Sequence, residues 1–288
     1  MSDVLDEADW TRRRDSHRVR VTRLVGPYLD QRGRGASHPV IDFLFTYYTL
    51  RPAQLVRWHP GFGIGLTGPG SDGYARLSGY RRTGGAVTVG TDLLVRRQPT
   101  VEFVAALLSA TSDRPPSFGC FGLHEWAMVY RAETLRHDAP LRLGRRRTDV
   151  VVESMPLRCT HFDAFRFFTR PARARNSQQL SRDGQGAAEQ PGCLHAAMDL
   201  YKWSFKLLPL LDSEIVMDAF ELAYVARVVD MRASPYDLRA YGYEPIAIES
   251  PSGRAEYVRQ QTVIAQRAAG VRQALLARCR DLLERAPR

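Results

Sequence analysis

Apolar residues return every three or four positions over most of this chain, and that period commits it to helices packed on helices. The period is clearest near the C-terminus. LLDSEIVMDAFELAYVARVVDM (210–231) reads as a strongly apolar helix with Glu214, Asp218 and Glu221 on one side, most simply a solvated acidic face. Residues 252–285 read as a long amphipathic helix of Arg, Gln, Ala and Leu, a brace packed along the rest. At the other end, Trp10, His17, Val21, Leu24, Val25 and Tyr28 recur at helical steps within 3–32, with arginines between them. Gly26-Pro27 is expected to kink or break that helix. Residues 100–116 are helical up to Pro115-Pro116, and a second helix starts at Leu123.

The period changes in the glycine-rich stretch 63–98, where short strands and turns are expected. Its glycines do not cradle a nucleotide. There is no G-K-[ST], and no G-x-G-x-x-G opens a helix after a strand. Further short strands are expected in the basic stretch 141–153 and at Pro245–Glu249, and His161, Asp163 and Phe165 would share one face if their segment is a strand. Residues 170–190 are polar and poor in apolar side chains, which suits a mobile loop or lid. The fold class that follows is mainly α with a small β element (α+β), a single globular helical domain. Residues 1–36 form a basic N-terminal helix or arm, and 37–288 form one catalytic domain closed by the brace helix 252–285.

With 288 residues and 44% hydrophobic content, the chain has enough material for a full core. No apolar run is long enough to span a bilayer, so no membrane partner is expected. The opening MSDVLDEADWTRRR lacks the apolar centre of a signal peptide, and a cytoplasmic location is the simplest expectation. Four dispersed cysteines without a C-x-x-C pair make neither a disulfide framework nor a zinc ribbon. A net charge of +10 suits a polyanionic partner such as DNA.

The stretch most suggestive of chemistry is GCLHAAMDLYKWSFK, residues 192–206. As a helix it places His195, Asp199, Lys202 and Lys206 on one face. Of the chain's 41 lysines and arginines these two alone are lysine. A desolvated lysine can give up its proton and act as base or Schiff-base nucleophile, which arginine cannot. A helix surface with structural ion pairs would show the same pattern.

Three segments repeat one theme. Cys120 precedes His124-Glu125, Cys159 precedes His161 and Asp163, and Cys193 precedes His195 and Asp199. Two chemistries fit. In a metal-free hydrolase, Asp199, Lys202, His195 and Asp163 would be catalytic, one carboxylate activating water or stabilising an oxocarbenium ion. In a metal-dependent enzyme acting on a small-molecule substrate, His124, Glu125, His161 and His195 would ligate a transition metal (Zn, Mn or non-haem Fe). Around either site, His59, Arg51, Trp58, Trp126 and Tyr130 are candidates for nucleic-acid or substrate contact, against the competing reading that large aromatics fill the core.

The segments HPVIDFLFTYYTLRPAQLVRWHPGFG, GCFGLHEWAMVYR, RCTHFDAFRFF, EQPGCLHAAMDLYKW and DMRASPYDL together resemble an actinobacterial family labelled 3-methyladenine DNA glycosylase. That resemblance spans nearly the whole chain. It implies a DNA-repair hydrolase that cleaves the N-glycosidic bond of an alkylated base. The helix-hairpin-helix motif L-P-G-[VI]-G with its following Asp has only His59-Pro60-Gly61-Phe62-Gly63 as a counterpart here, and no catalytic residue carries over by position.

Overall fold

A computed structural model describes residues 3–35, 37–135 and 137–287; positions 1, 2 and 36 of the expected N-terminal arm lie outside them. The chain opens with β1 (Asp3–Leu5) and α1 (Glu7–Gly33), followed by two short helices, α2 (Asp42–Thr46) and α3 (Pro52–Val56). The glycine-rich stretch supplies β2 (Ile64–Leu66), α4 (Asp72–Ala75), β3 (Tyr80–Thr83) and β4 (Ala86–Val89). Then come α5 (Thr91–Ser112) and α6 (Leu123–Ala127). The middle of the chain holds α7 (Gly144–Ser154), α8 (Phe162–Phe165), α9 (Arg170–Arg173) and α10 (Gln185–Ala188). Three helices close it: α11 (Leu194–Lys206), α12 (Ser213–Arg232) and α13 (Pro251–Arg285).

The expected mainly α architecture with a small sheet is what forms. The sheet has the order β1-β2-β4-β3, with β1 parallel to β2 and the other pairs antiparallel. It gathers the strands expected in 63–98 and adds β1, hydrogen-bonded Asp3 to Ile64 through Leu5 to Leu66 in register. α13 lies along α5, α11 and α12, the bracing role its amphipathic pattern implies. Side-chain caps start three of the four longest helices of this frame. Asp6 accepts from Asp9 N, Asp212 from Ile215 N and Ser250 from Gly253 N, each worth about 1 kcal/mol.

Several local expectations are overturned. α1 runs through Pro27 without breaking, with Trp10, His17, Val21, Val25 and Tyr28 buried. The acidic side of α12 does face solvent, as expected, although Asp218 and Glu221 also accept from Arg20 of α1 and Glu214 from Trp58 Nε1. The stretch 141–153 gives α7 instead of a strand, because burying Thr148, Val151 and Val152 together outweighs the strand preference of the three valines. His161–Phe165 is a helical turn, with His161 as its N-cap residue. Residues 245–249 form no strand. The polar stretch 170–190 is pinned instead of loose: Asn176 bonds the N–H and carbonyl of Cys159, and Gln185, Glu189 and Gln190 are buried. Among the described residues, no helix is long and apolar enough to cross a membrane.

Candidate metal centre

Three local devices aim side chains at one point. The first is the turn ahead of α6. Gly122 has φ +72°, and a Cβ there would sit 3.1 Å from Ala233 Cβ and 3.3 Å from Tyr257 Cε2, so glycine is required for His124 and Glu125 to face inward. The second is the entry to α11. Gln190 Oε1 accepts from Ser117 N and Gly192 N, while Gln261 donates to Gly192 O. This fixes where the helix begins and so where His195 points. The third lies on α12, where Val216, Phe220 and Ala223 form a buried stripe that Arg227 and Asp230 continue at the same spacing. The start of α11 and the end of α12 therefore meet.

Where they meet, His124, His195 and Asp230 present ligand atoms all within 4.8 Å of one another, and all three residues are buried. His124 Nε2 lies 2.7 Å from Asp230 Oδ1, and the His124 ring stands edge-on to His195 with centroids 4.4 Å apart. On its other side, His124 Nδ1 is 3.4 Å from Cys120 Sγ. Loss of the Nε2 proton shared with Asp230 Oδ1 would leave Nδ1 protonated and Nε2 available to ligate. Asp230 Oδ2 accepts from Arg227 Nη1 at 2.9 Å, and the same nitrogen donates to Glu125 Oε1 at 2.8 Å. The His195 imidazole hydrogen-bonds to no described residue, although it is only 5% exposed.

A second network lies beside the first. His161 packs against His195 with centroids 5.3 Å apart, and its Nε2 is 3.3 Å from Asp199 Oδ2. Lys202 Nζ donates to Asp163 Oδ2 and to Asp199 Oδ2, both at 2.8 Å. Tyr48 donates to Asp199 Oδ1 at 2.9 Å, and Arg182 caps Asp163 Oδ1 at 2.5 Å.

Burial and neighbouring charge act against each other in both networks. Burial alone would neutralise His124 and His161, but the carboxylates of Asp230 and Asp199 raise both imidazoles above their usual range. His195, desolvated and beside His124, is pushed well down and stays neutral. Burial opposes ionisation of Asp199 and Asp230, yet Lys202 and His161 hold the first below the ordinary carboxylate range and His124 the second. Lys202 goes the opposite way from the expectation for a nucleophile. Burial lowers it, and Asp199 and Asp163 more than reverse that, so it is a fixed ammonium.

A cavity of about 440 Å³ opens onto this centre. His195, Glu125, Arg227 and Asp163 line it together with Phe43 and Tyr47. Asp199 and Lys202 do not line it. Behind the centre, Cys120, Cys159 and Cys193 surround a space of about 10 Å³ next to His124 and His195. Burial raises the Cys159 and Cys193 thiols, which therefore stay protonated.

The sequence-derived candidates divide accordingly. His124 and His195 converge as ligands. Glu125 and His161 do not join them: Glu125 is tied through Arg227, and His161 pairs with Asp199. Asp199, Lys202 and Asp163 come together as a charge network in which only Asp163 reaches the cavity wall. The contact candidates are mostly core. Trp58 donates to Glu214, Trp126 to Ala233 O and Tyr130 to Glu153, and all three rings are buried. His59 is buried against Tyr80, its Nδ1 2.8 Å from the hydroxyl. Arg51 is exposed but lines a separate groove beside α3.

Sequence reasoning missed Asp230, Arg227 and Tyr48. For the first two a signal was present: two opposite charges three residues apart, set on the apolar stripe of α12 where each would be costly unless paired. No known protein-family profile matches the chain, and comparisons with curated proteins and with solved structures give no match either.

Proposed function

We propose that this chain is a metal-dependent enzyme acting on a small molecule, with a divalent transition metal held by His124, His195 and Asp230. The observation that carries this reading is the cluster itself: two imidazoles and one carboxylate within 4.8 Å, the first imidazole oriented by Cys120, the second without a hydrogen-bond partner among the described residues and lining a substrate-sized cavity. Two histidines and one carboxylate with positions left open are the donor set of non-haem Fe(II) sites and of His₂-carboxylate zinc sites. A metal there would supply Lewis acidity or redox chemistry at the cavity floor.

The chain's own residues have separable tasks. Arg227 orients Asp230 and neutralises part of its charge, as hydrogen-bonded outer partners do around metal ligands. Glu125 keeps Oε2 without a partner among the described residues, and it lines the cavity next to His195. That oxygen is placed to accept a proton from a bound molecule. Of the His161–Asp199–Lys202 network, His161 packs against the His195 ring.

Base excision, the expectation drawn from resemblance, gains less from this geometry. Asp199 lies outside the cavity lining, and among the described residues Arg227 is the one arginine or lysine within it. Elemental analysis of the purified full chain tests the reading. About one equivalent of Fe, Mn or Zn per chain is expected, lost in His195→Ala while the circular dichroism spectrum is retained. Protein that carries no metal and takes up none of the three on dialysis would overturn it.

A further inference from the structure

Arg227 lines the cavity with most of its hydrogen-bonding capacity unspent. It stands beside Glu125 and His195 in the lining and next to the metal ligand Asp230. A single nitrogen, Nη1, makes both of its bonds, to Glu125 Oε1 at 2.8 Å and to Asp230 Oδ2 at 2.9 Å. Nε is buried without a partner among the described residues, and Nη2 bonds to none of them either. Nε–H and one N–H of Nη2 share one edge of a guanidinium, the edge that takes a carboxylate through two parallel bonds. A buried donor left unsatisfied is uncommon, and on a charged group it is costly. Arg227 is held in this attitude by its two carboxylates and by the Phe43 ring, whose centroid lies 4.2 Å from Cζ.

The surrounding charges admit an anion at that edge. A divalent ion on His124, His195 and Asp230 would bring two positive charges and Arg227 brings one, against one negative charge each on Asp230 and Glu125. Elsewhere in the lining, Asp163 is held by Lys202, Arg182 and Arg166, and Asp42 by Arg32 and the Tyr28 hydroxyl. Asp138 lines the cavity from an exposed position, where water and salt screen it. Arg166 adds a second, half-exposed cation at the wall, lying over Tyr47 and Phe167.

We infer that the substrate carries a carboxylate and that Arg227 binds it, the Nε–Nη2 edge receiving both oxygens beside the metal. A planar two-oxygen anion matches this edge, whereas a hydroxyl is an uncharged single-oxygen acceptor and an ammonium offers no acceptor at all. A tetrahedral phosphate on the same edge would project an oxygen out of the guanidinium plane, towards the side that Phe43 covers. Because Arg227 also holds Asp230, one residue binds the substrate and orients a metal ligand. The inference rests on reading the cavity as the substrate entrance of the metal-dependent enzyme.

Four probes of similar shape test it: 3-phenylpropanoate, 3-phenylpropan-1-ol, 3-phenylpropylamine and 2-phenylethylphosphonate. Each is titrated calorimetrically into the full chain at neutral pH, with and without added Zn(II), and metal content is measured separately. The carboxylate is expected to bind about tenfold tighter than the alcohol, with the phosphonate weaker than the carboxylate and the amine weakest. Arg227→Lys keeps the charge and removes the planar edge, so it should cut carboxylate binding about tenfold and leave the alcohol unchanged. The wild-type ordering needs no variant, so the test stands even where Arg227→Lys does not fold. An alcohol, amine or phosphonate that binds as tightly as the carboxylate overturns the inference, and so does no binding by any probe. Carboxylate binding that requires Zn(II) and is unchanged in Arg227→Lys overturns it too, because the metal alone would then hold the group. Carboxylate preference in a chain that takes up no metal would sink the metal reading alone. Metal uptake without carboxylate preference would sink the carboxylate inference alone.

Discussion

His124 Nε2 and Asp230 Oδ1 lie 2.7 Å apart, joining α6 to the far end of α12 across 106 residues of chain. Asp230 is fully buried between this imidazole and the Arg227 guanidinium. Replacing it with asparagine keeps the shape and removes the charge that both neighbours depend on. Asp230→Asn should lose the metal and destabilise the chain by about 3–5 kcal/mol, the usual cost of leaving a buried ion without its partner. Chemical denaturation and elemental analysis of the variant read the two effects separately. A variant of unchanged stability that still binds metal stoichiometrically would remove Asp230 from the centre.

The two lysines should behave differently although they share one helix. Lys202 is largely covered between Asp163 and Asp199, whereas Lys206 is exposed near Trp203. Lys202→Met strands two carboxylates, one of them fully buried, and should cost about 3 kcal/mol or more. Lys206→Met should stay within about 0.5 kcal/mol, as surface substitutions usually do. Titration adds a second readout. With two lysines in the chain, lysine-labelled NMR gives two Nζ-proximal signals. The Lys206 signal should titrate first, since burial and Lys202 lower it while the carboxylates raise Lys202. The reverse order would restore Lys202 as a candidate nucleophile.

Gly122 sets the direction of His124 without touching it chemically. An alanine there would adopt a left-handed backbone and crowd Ala233 and Tyr257. Gly122→Ala should cost about 1–3 kcal/mol in stability. It should also weaken metal binding, because α6 must shift to relieve the contact. Gly144 has a similar φ of +70° with open space around it, so Gly144→Ala is the control for backbone strain alone. It should lose stability without losing metal.

How much of this was readable in advance follows from which forces decide each feature. The frame was legible because α1, α5, α12 and α13 are long enough for a 3.6-residue period to repeat several times. α7 and α8 were misread because four to eleven residues give periodicity little to act on, and a run such as Val150-Val151-Val152 favours strand until burial decides otherwise. His124 and His195 were found because histidines are few and each had a carboxylate nearby in sequence. Those sequence neighbours proved to be the wrong partners. His124 pairs with Asp230 instead of using Glu125 as a co-ligand, and Asp199 serves His161 instead of His195. Partner choice is made by packing between helices far apart in the chain, and local spacing does not encode it. The only trace of Asp230 was a charge on a stripe that should have been apolar.

His59 supplies a pH test independent of the metal centre, since it sits in the interior near the sheet, bonded to Tyr80. Burial pushes its imidazole down to about 4 from an ordinary 6.5. Between those values the unfolded chain takes up a proton at this position and the folded chain does not. Stability therefore falls as pH drops from about 6.5 to about 4 and levels off below, with an upper limit of about 3 kcal/mol from this residue. The raised imidazoles His124 and His161 contribute stability fully present below 6.5 and lost above it, so they add little slope inside the window. Asp199 and Asp230, held low in the folded chain, lose their contribution mainly below the ordinary carboxylate value. His17, His38 and His195 slope the same way as His59, so a variant is needed to isolate it. His59→Gln keeps a hydrogen-bonding group near Tyr80 and cannot titrate. Urea denaturation of both proteins across pH 4–7 should show the gap between them narrowing towards low pH, where the wild type gives up its advantage. A gap that stays constant across the range would mean that His59 is solvated or charged in the folded chain.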